Sequence, residues 1–421
     1  MRKFFLLGLL LISISSFSIS KEEIANTHKR IYSILNSNPD EAYRLSLEAE
    51  VQAEHEGLLV EEANSIFIQG WIHKKKRNEL GKAFILYLKA LEVLKPAYDE
   101  STASIKLYVD LLISTGNLLT EHFAFDEAIN YYDEAIKLAG DNDMHSDLSL
   151  AYWKMASAQS EAGKTNEALV TIESAIESAI ASENEKRILT TINSKGLFHI
   201  ELKNYAEARK CFNKIIDWEF TKASKNHFLG IAWHNVGHSY TSEGKHQDAI
   251  AAYKSSEVFK KEDSRQDRLF ITWTDLSESM ILTKDYPSAE RYGLQALDIY
   301  DQVQLHPDNY RIYDFMSTIA FESGDFEKSR FYTEKYIEEN DKFLKRQEEI
   351  QRTKDHYKME LLAAGFFMKV NSAKNENLYS LLLTIVSSLL TIALVAGATW
   401  QYWVRRSIKK SIARIEKDSF I

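Results

Sequence analysis

A small residue, usually preceded by an acidic or polar one, returns about every 40 positions along most of this chain. The positions are Ala42, Ala83, Ala128, Ala168, Ala208, Ala249, Ala289 and Ser329. The intervals between them are 41, 45, 40, 40, 41, 40 and 40 residues. A fixed period of this length indicates stacked supersecondary units rather than one globular core, because each unit buries its apolar face against its neighbours.

One unit shows the pattern most clearly. Trp233, Gly237 and Tyr240 are spaced by three and four residues, as on one face of a helix. Gly244 then interrupts the pattern, and a second helical face follows that includes Tyr253. The small residues allow the two helices to approach closely, while the aromatic residues fill the space around them. Each unit is therefore predicted to be a pair of packed helices.

This pattern resembles the tetratricopeptide repeat, in which Trp, Leu-Gly and Tyr precede Ala and an aromatic residue at matching offsets. The resemblance recurs in six units and covers roughly residues 24–340. It implies an all-α fold, a right-handed solenoid of about eight helix pairs over residues 21–340. The period exceeds the usual ~34 residues, which predicts longer helices and loops.

The N-terminus has the composition of a secretory signal peptide. Arg2 and Lys3 precede an apolar run from Phe4 to Ile12, and small residues at Ser18 and Ser20 allow cleavage before residue 21. The alternative is an uncleaved N-terminal anchor. We predict that residues 1–20 direct the repeats out of the cytoplasm.

A second apolar segment, residues 377–404, is predicted to be a transmembrane helix. Leu378 to Val404 carries no charge and exceeds the ~20 residues needed to cross a bilayer, with Trp and Tyr near both ends. The tail 405–421 has six basic and two acidic residues, which places it in the cytoplasm by the positive-inside rule. The expected location is the bacterial inner membrane, single-pass, with periplasmic repeats and contact to membrane lipid through one span.

Charge restricts the partners of the repeat region. Without the signal peptide and the tail, 44 basic and 59 acidic residues remain, a net charge of −15. This balance argues against nucleic acid, which requires a positive surface. Cys211 is the single cysteine, so no intramolecular disulfide can form.

Residues 341–376 are predicted to form a charged helical linker between the repeats and the membrane. Tyr336, Phe343, Ile350 and Tyr357 recur at every seventh position, but the companion heptad positions are largely polar. A stable coiled coil needs two apolar positions in each heptad, and this pattern supplies only one of them. We therefore predict a weak coiled coil, which could support a dimer.

No phosphate-binding loop, nucleophile elbow or cysteine pair is present, and no enzyme activity or cofactor is predicted. His234 and His238, four residues apart on one helix, are the best metal candidates, but a site needs three or four ligands, so no metal is predicted. Because members of the resembled family present these helix positions to ligands, we expect a ligand groove. Ordinary surface positions are the alternative for each candidate. The candidates are Asn117, Trp153, Ser157, Asn193, His234, Asn235, His238, Thr274, Asp275 and Glu278.

The order of segments is similar to the periplasmic tetratricopeptide sensor region of bacterial membrane signalling proteins, of the diguanylate cyclase or histidine kinase type. The resemblance implies that the repeats bind a peptide or protein and relay the bound state across the membrane. Any catalytic output would lie outside residues 1–421. The alternative function is an envelope-associated scaffold or assembly protein that uses the groove for protein–protein interaction.

Overall fold

The computed structural model describes residues 20–99, 101–221, 225–262, 266–300 and 309–372. Within these ranges sixteen α helices alternate with short turns, and no strand occurs. The helices are α1 (Lys21–Ile34), α2 (Pro39–Glu56), α3 (Leu59–Ile72), α4 (Leu80–Leu94), α5 (Thr102–Glu121), α6 (Phe125–Asp141), α7 (His145–Glu161), α8 (Thr165–Ala181), α9 (Glu185–Glu201), α10 (Tyr205–Ile216), α11 (Lys225–Ser242), α12 (His246–Glu262), α13 (Gln266–Leu282), α14 (Tyr286–Asp298), α15 (Arg311–Glu322) and α16 (Phe326–Ser372).

The helices stack in chain order. From α1 to α15 each helix packs against the next, and most neighbouring odd-numbered helices also touch each other directly. We call the set α1, α3, α5, α7, α9, α11, α13 and α15 the odd-helix row. This arrangement confirms the predicted all-α repeat solenoid. The chain divides into two compact units after Glu360, and all of α1–α15 lies in the first.

Close contact between a glycine and an aromatic ring holds several pairs together. A Cβ atom added at Gly237 would lie 2.6 Å from Cδ1 of Tyr253, so only a residue without a side chain fits there. The same arrangement, with the ring 16 or 17 residues after the glycine, occurs in three other pairs. They are Gly70 with Tyr87, Gly116 with Tyr132, and Gly196 with Phe212. The glycine of the repeat thus sets the distance between the two helices of a pair.

The turn inside a pair ends the first helix with a residue in the left-handed region. Gly163, Gly244 and Gly324 adopt φ angles of 77°, 80° and 79°. At Gly163 the backbone N–H donates to the Ser160 carbonyl, and the next N–H donates to Gln159, as in a Schellman motif. Equivalent turns use non-glycine residues. These are Phe123, Lys203 and Lys284.

The helix α16 extends well beyond its own pair, to Ser372. Tyr336 and Phe343, the first members of the predicted heptad stripe, pack against Tyr310, with ring centroids 5.6 and 5.1 Å away. These two rings are therefore already in contact within the chain, which leaves less of the stripe for a partner helix. The dimer remains a prediction.

Two predicted segments fall outside the part of the chain that the structure describes. They are residues 1–19 of the signal peptide and the whole of the span and tail, 377–421. None of the helices in the described ranges is both long and apolar enough to cross a membrane.

Candidate ligand-binding cavity on the odd-helix row

The ten candidate residues all lie on helices of the odd-helix row, from α5 to α13. Six of them line one open cavity of about 520 Å³ between α11 and α13. The six are His234, Asn235, His238, Thr274, Asp275 and Glu278. Equivalent repeat offsets on two neighbouring odd helices thus converge on one space, because the two helices present the same face.

Two polar contacts between side chains cross this cavity. His234 Nε2 lies 3.5 Å from Asp275 Oδ2, which links α11 to α13. Arg311 Nη2 donates to Glu278 Oε1 at 3.0 Å, which links α15 to α13. The side chains of three successive odd helices are therefore connected through the cavity wall.

The carboxyl group of Asp275 has a raised pKa. Burial and, to a lesser extent, the neighbouring Glu278 carboxylate raise the pKa of Asp275 to about 7, while Lys260 and Arg311 oppose the shift. Burial removes water from the carboxylate, which penalises its charged form. Ionised Asp275 is therefore costly to the ligand-free protein.

The two histidines are held neutral. Burial, Lys260 and His238 keep the pKa of His234 well below its ordinary value. Burial also lowers the pKa of His238, although Glu278 partly offsets this effect. Neutral imidazoles can donate or accept a hydrogen bond. In the described ranges no group of three or more His, Cys, Asp or Glu side chains is arranged to hold a metal ion.

Two buried polar atoms at the cavity have no hydrogen-bond partner among the described residues. They are His234 Nδ1 and the amide Nδ2 of Asn309. Asn309 is only 3% exposed, and it lines the cavity just before α15. Buried polar groups are normally paired, so these atoms are available to hydrogen-bond a bound molecule.

Four candidates lie elsewhere and make bonds within the protein. Asn193 Oδ1 accepts from Asn235 Nδ2 at 2.7 Å, which connects α9 to the cavity. Asn117 accepts from the Tyr132 hydroxyl at 3.0 Å. The Ser157 hydroxyl donates to the carbonyl of Trp153 at 3.0 Å. Asn117 and Ser157 therefore have structural bonds of their own.

Trp153 belongs to a separate basic cluster on α7 and α9. Its indole N–H donates to Ser194 Oγ at 2.9 Å. Lys154 Nζ and Arg187 Cζ lie 4.6 and 5.4 Å from the indole centre, within cation–π range. Burial lowers the pKa of both basic groups. Trp153 thus lies between two basic groups, whereas the α11–α13 cavity is lined by two carboxylates.

Seven residues that line the cavity were not among the candidates. They are Thr241, Ser242, Tyr253, Phe270, Ile271, Asn309 and Arg311. Tyr253 was expected only to pack between helices, yet its ring also forms cavity wall, together with Phe270. Asn309 lies just before α15, outside the repeat offsets used to choose candidates. The wall aromatics follow from the repeat, because Tyr253 is the ring opposite Gly237.

A family model for the tetratricopeptide repeat matches residues 189–222 and 231–256. These ranges fall on α9–α10 and α11–α12, and the second includes six of the cavity residues, three of them among the predicted candidates. Comparison with curated protein sequences gives no significant match.

Solved structures with a similar fold share little sequence with this chain. The apo form of RapI is 15% identical, with a TM-score of 0.58, over 82% of this chain and 93% of RapI. The signal transduction ATPase PH0952 from Pyrococcus horikoshii, described as having a tetratricopeptide repeat sensor, is 14% identical, with a TM-score of 0.52, over 80% of this chain and 56% of its own. The apo quorum sensor NprR from B. thuringiensis reaches 15% identity and a TM-score of 0.47, over 76% and 99%.

The likenesses to RapI and PH0952 show the fold. The chain is an all-α helical repeat solenoid that carries tetratricopeptide repeats at residues 189–222 and 231–256.

Proposed function

We propose that this protein is the ligand-binding module of a membrane-anchored sensor. In this proposal the solenoid is periplasmic and captures a peptide or protein ligand in the α11–α13 cavity and along the neighbouring odd helices. The linker and a single span within 377–404 carry the bound state to the cytoplasm, where an output outside residues 1–421 responds.

One observation carries the binding part of the proposal. Six side chains, four selected at equivalent repeat offsets and two adjacent to them, line one cavity, and that cavity contains buried polar atoms without partners in the described ranges. A buried polar atom without a hydrogen-bond partner costs about 1–3 kcal/mol of stability. Such atoms are therefore unfavourable in a surface whose only role is to pack helices together. A bound peptide, with an N–H and a carbonyl at every residue, offers the missing partners.

We expect the double variant His234→Ala, His238→Ala to fold normally and to lose affinity for captured peptides by about tenfold. Removing two hydrogen-bonding groups from the cavity costs roughly 1–2 kcal/mol of binding free energy, and neither imidazole carries a charge that the fold depends on. The measurement is selection of a random decapeptide library on the full chain in detergent, followed by titration of the selected peptides.

His55→Ala is the matched control, because this histidine is 74% exposed on α2, away from the odd-helix row. Its affinity for the same peptides should equal that of the wild type. A melting temperature reduced only in the double variant would instead make His234 and His238 packing residues. Selection of no peptide at all would refute the sensor proposal and favour the scaffold alternative, in which the groove holds a folded partner.

The proposed topology rests on the sequence. The basic tail after residue 404 predicts that a reporter fused after Ile421 lies in the cytoplasm. We expect a C-terminal alkaline phosphatase fusion to be inactive and a C-terminal fluorescent protein fusion to be bright. Neutralising the six basic tail residues should weaken this bias. An active phosphatase fusion on the unaltered chain would reverse the orientation.

A further inference from the structure

The charges around the α11–α13 cavity do not balance. Glu278 pairs with Arg311, whereas among the described residues Asp275 makes no ion pair with a lysine or arginine. The His234 ring lies 3.5 Å from its carboxylate. Burial keeps the pKa of His234 low, so the imidazole is uncharged at neutral pH. Within the described part of the chain, the Asp275 carboxylate therefore has no counter-charge at ion-pairing distance.

The other helices around Asp275 do not supply that charge at hydrogen-bonding distance. From α12, the buried Lys260 ammonium donates to Thr272 Oγ1 at 2.7 Å, and it acts on Asp275 as a more distant charge. The Tyr253 hydroxyl, also from α12, bonds to Thr241, and burial raises its pKa, so it stays neutral. From α11, His238 faces Glu278 and has a lowered pKa. Among the described lining residues, two carboxylates, Asp275 and Glu278, therefore face one cation, Arg311, a net charge of −1 when Asp275 is ionised.

The remaining walls suit a positively charged group attached to a peptide. Tyr253 and Phe270 present aromatic rings to the cavity, and the face of an aromatic ring attracts a cation. Asn309 is 97% buried, and its amide N–H₂ has no acceptor among the described residues. It can therefore donate to a carbonyl beside the cation. An anionic ligand would instead meet two carboxylates.

We propose that this cavity receives one cationic nitrogen of a peptide ligand, which pairs with the Asp275 carboxylate while Asn309 donates to a neighbouring peptide carbonyl. This assignment deepens the function proposed above and rests on it. The cationic group is either a Lys or Arg side chain or the amino terminus of the peptide, since both offer the same charge.

The test uses the decapeptides selected on the full chain, each resynthesised unmodified and in two altered forms. In one form every arginine is replaced by citrulline and every lysine by norleucine, which removes the side-chain charge. In another the amino terminus is acetylated. We expect one of these changes, and not the other, to reduce affinity at least tenfold. Loss with citrulline or norleucine identifies a side chain, and loss with acetylation identifies the terminus.

Variants of the protein give the second arm. Asp275→Asn removes the charge and keeps the size, and it should bind the charged and uncharged forms equally weakly. Asp275→Glu keeps the charge and should retain the preference for the charged form. Asp126→Asn is the matched control, because this aspartate is 83% exposed on the even helix α6.

Three results would overturn the assignment. The first is that wild-type protein binds the charged and uncharged peptide forms with equal affinity. This result would refute only the role of a cation and would leave the proposed peptide binding standing. The second is that Asp275→Asn keeps the preference of the wild type. The third is that no peptide is selected, which removes the proposed function together with this inference. The comparison of peptide forms uses only wild-type protein, so its result is valid even if a substitution impairs folding.

Discussion

Phe212→Ala is expected to lower the free energy of unfolding by about 3–5 kcal/mol, the usual cost of removing a fully buried phenylalanine. The Phe212 ring on α10 is 0% exposed and lies directly against Gly196 of α9, so its loss leaves a cavity that a glycine cannot fill. Equilibrium urea denaturation of the full chain, followed by far-UV circular dichroism, measures the change. Val170→Ala is the control, because Val170 is 73% exposed, and it should shift the transition little.

The same contact predicts a coupling between the two positions. Gly196→Ala alone should cost about 1–3 kcal/mol, since the new methyl group overlaps the Phe212 ring. In the background Phe212→Leu the same glycine replacement should cost less, because the smaller side chain leaves room. Strict additivity in this double-mutant cycle would show that the ring does not require a glycine opposite.

Asp275→Asn is expected to stabilise the protein at pH 8 by up to about 4 kcal/mol, at 1.36 kcal/mol per pKa unit. The pKa of Asp275 in the folded state is raised to about 7. Between about pH 4 and pH 7 the unfolded chain releases this proton while the folded protein retains it, so wild-type stability falls as pH rises through that window. The neutral asparagine avoids this loss.

The difference between variant and wild type should therefore be largest at pH 8 and close to zero at pH 4. Urea denaturation of both proteins at pH 4, 5, 6, 7 and 8 gives the profile, and Asp126→Asn, at an exposed aspartate on α6, is measured as the control. A constant difference at every pH would contradict the raised pKa. A substitution that increases stability but abolishes binding of a cationic peptide would mark Asp275 as a residue kept for its function rather than for the fold.

The repeat period determined most of the fold in advance, because small residues at fixed positions leave few ways to pack a helix pair. Gly196 and Gly237 show why, since each lies against a ring 16 residues later. The turn residues were less predictable. Phe123 and Lys203 adopt the left-handed conformation that glycine favours, at φ angles of 59° and 60°. There the flanking helices impose the turn, and no sequence signal marks it.

The candidate site was predictable only where it follows the repeat. His234 and Thr274 occupy equivalent offsets on successive odd helices, and the structure brings His234 to 3.5 Å from Asp275, the residue next to Thr274. Asn117 occupies a similar offset but accepts a hydrogen bond from Tyr132. Asn309 lies outside the repeat, so no periodic argument could find it. Equivalent position predicts the face of a helix, whereas the hydrogen-bond partner of each side chain depends on residues specific to one unit.

The cavity lies between units that are separate members of a linear stack, with α13 joined to α11 through Asp275 and to α15 through Glu278. In a solenoid, each unit is coupled mainly to its immediate neighbours. A molecule that bridges α11, α13 and α15 therefore stabilises the packing between these three helices and leaves the packing between distant helices unchanged. Amide hydrogen exchange should slow in these three helices when ligand is added, while α1–α5 keep the exchange rates of the ligand-free protein. Ligand binding would then reduce local opening only in the helices that precede α16 in the chain.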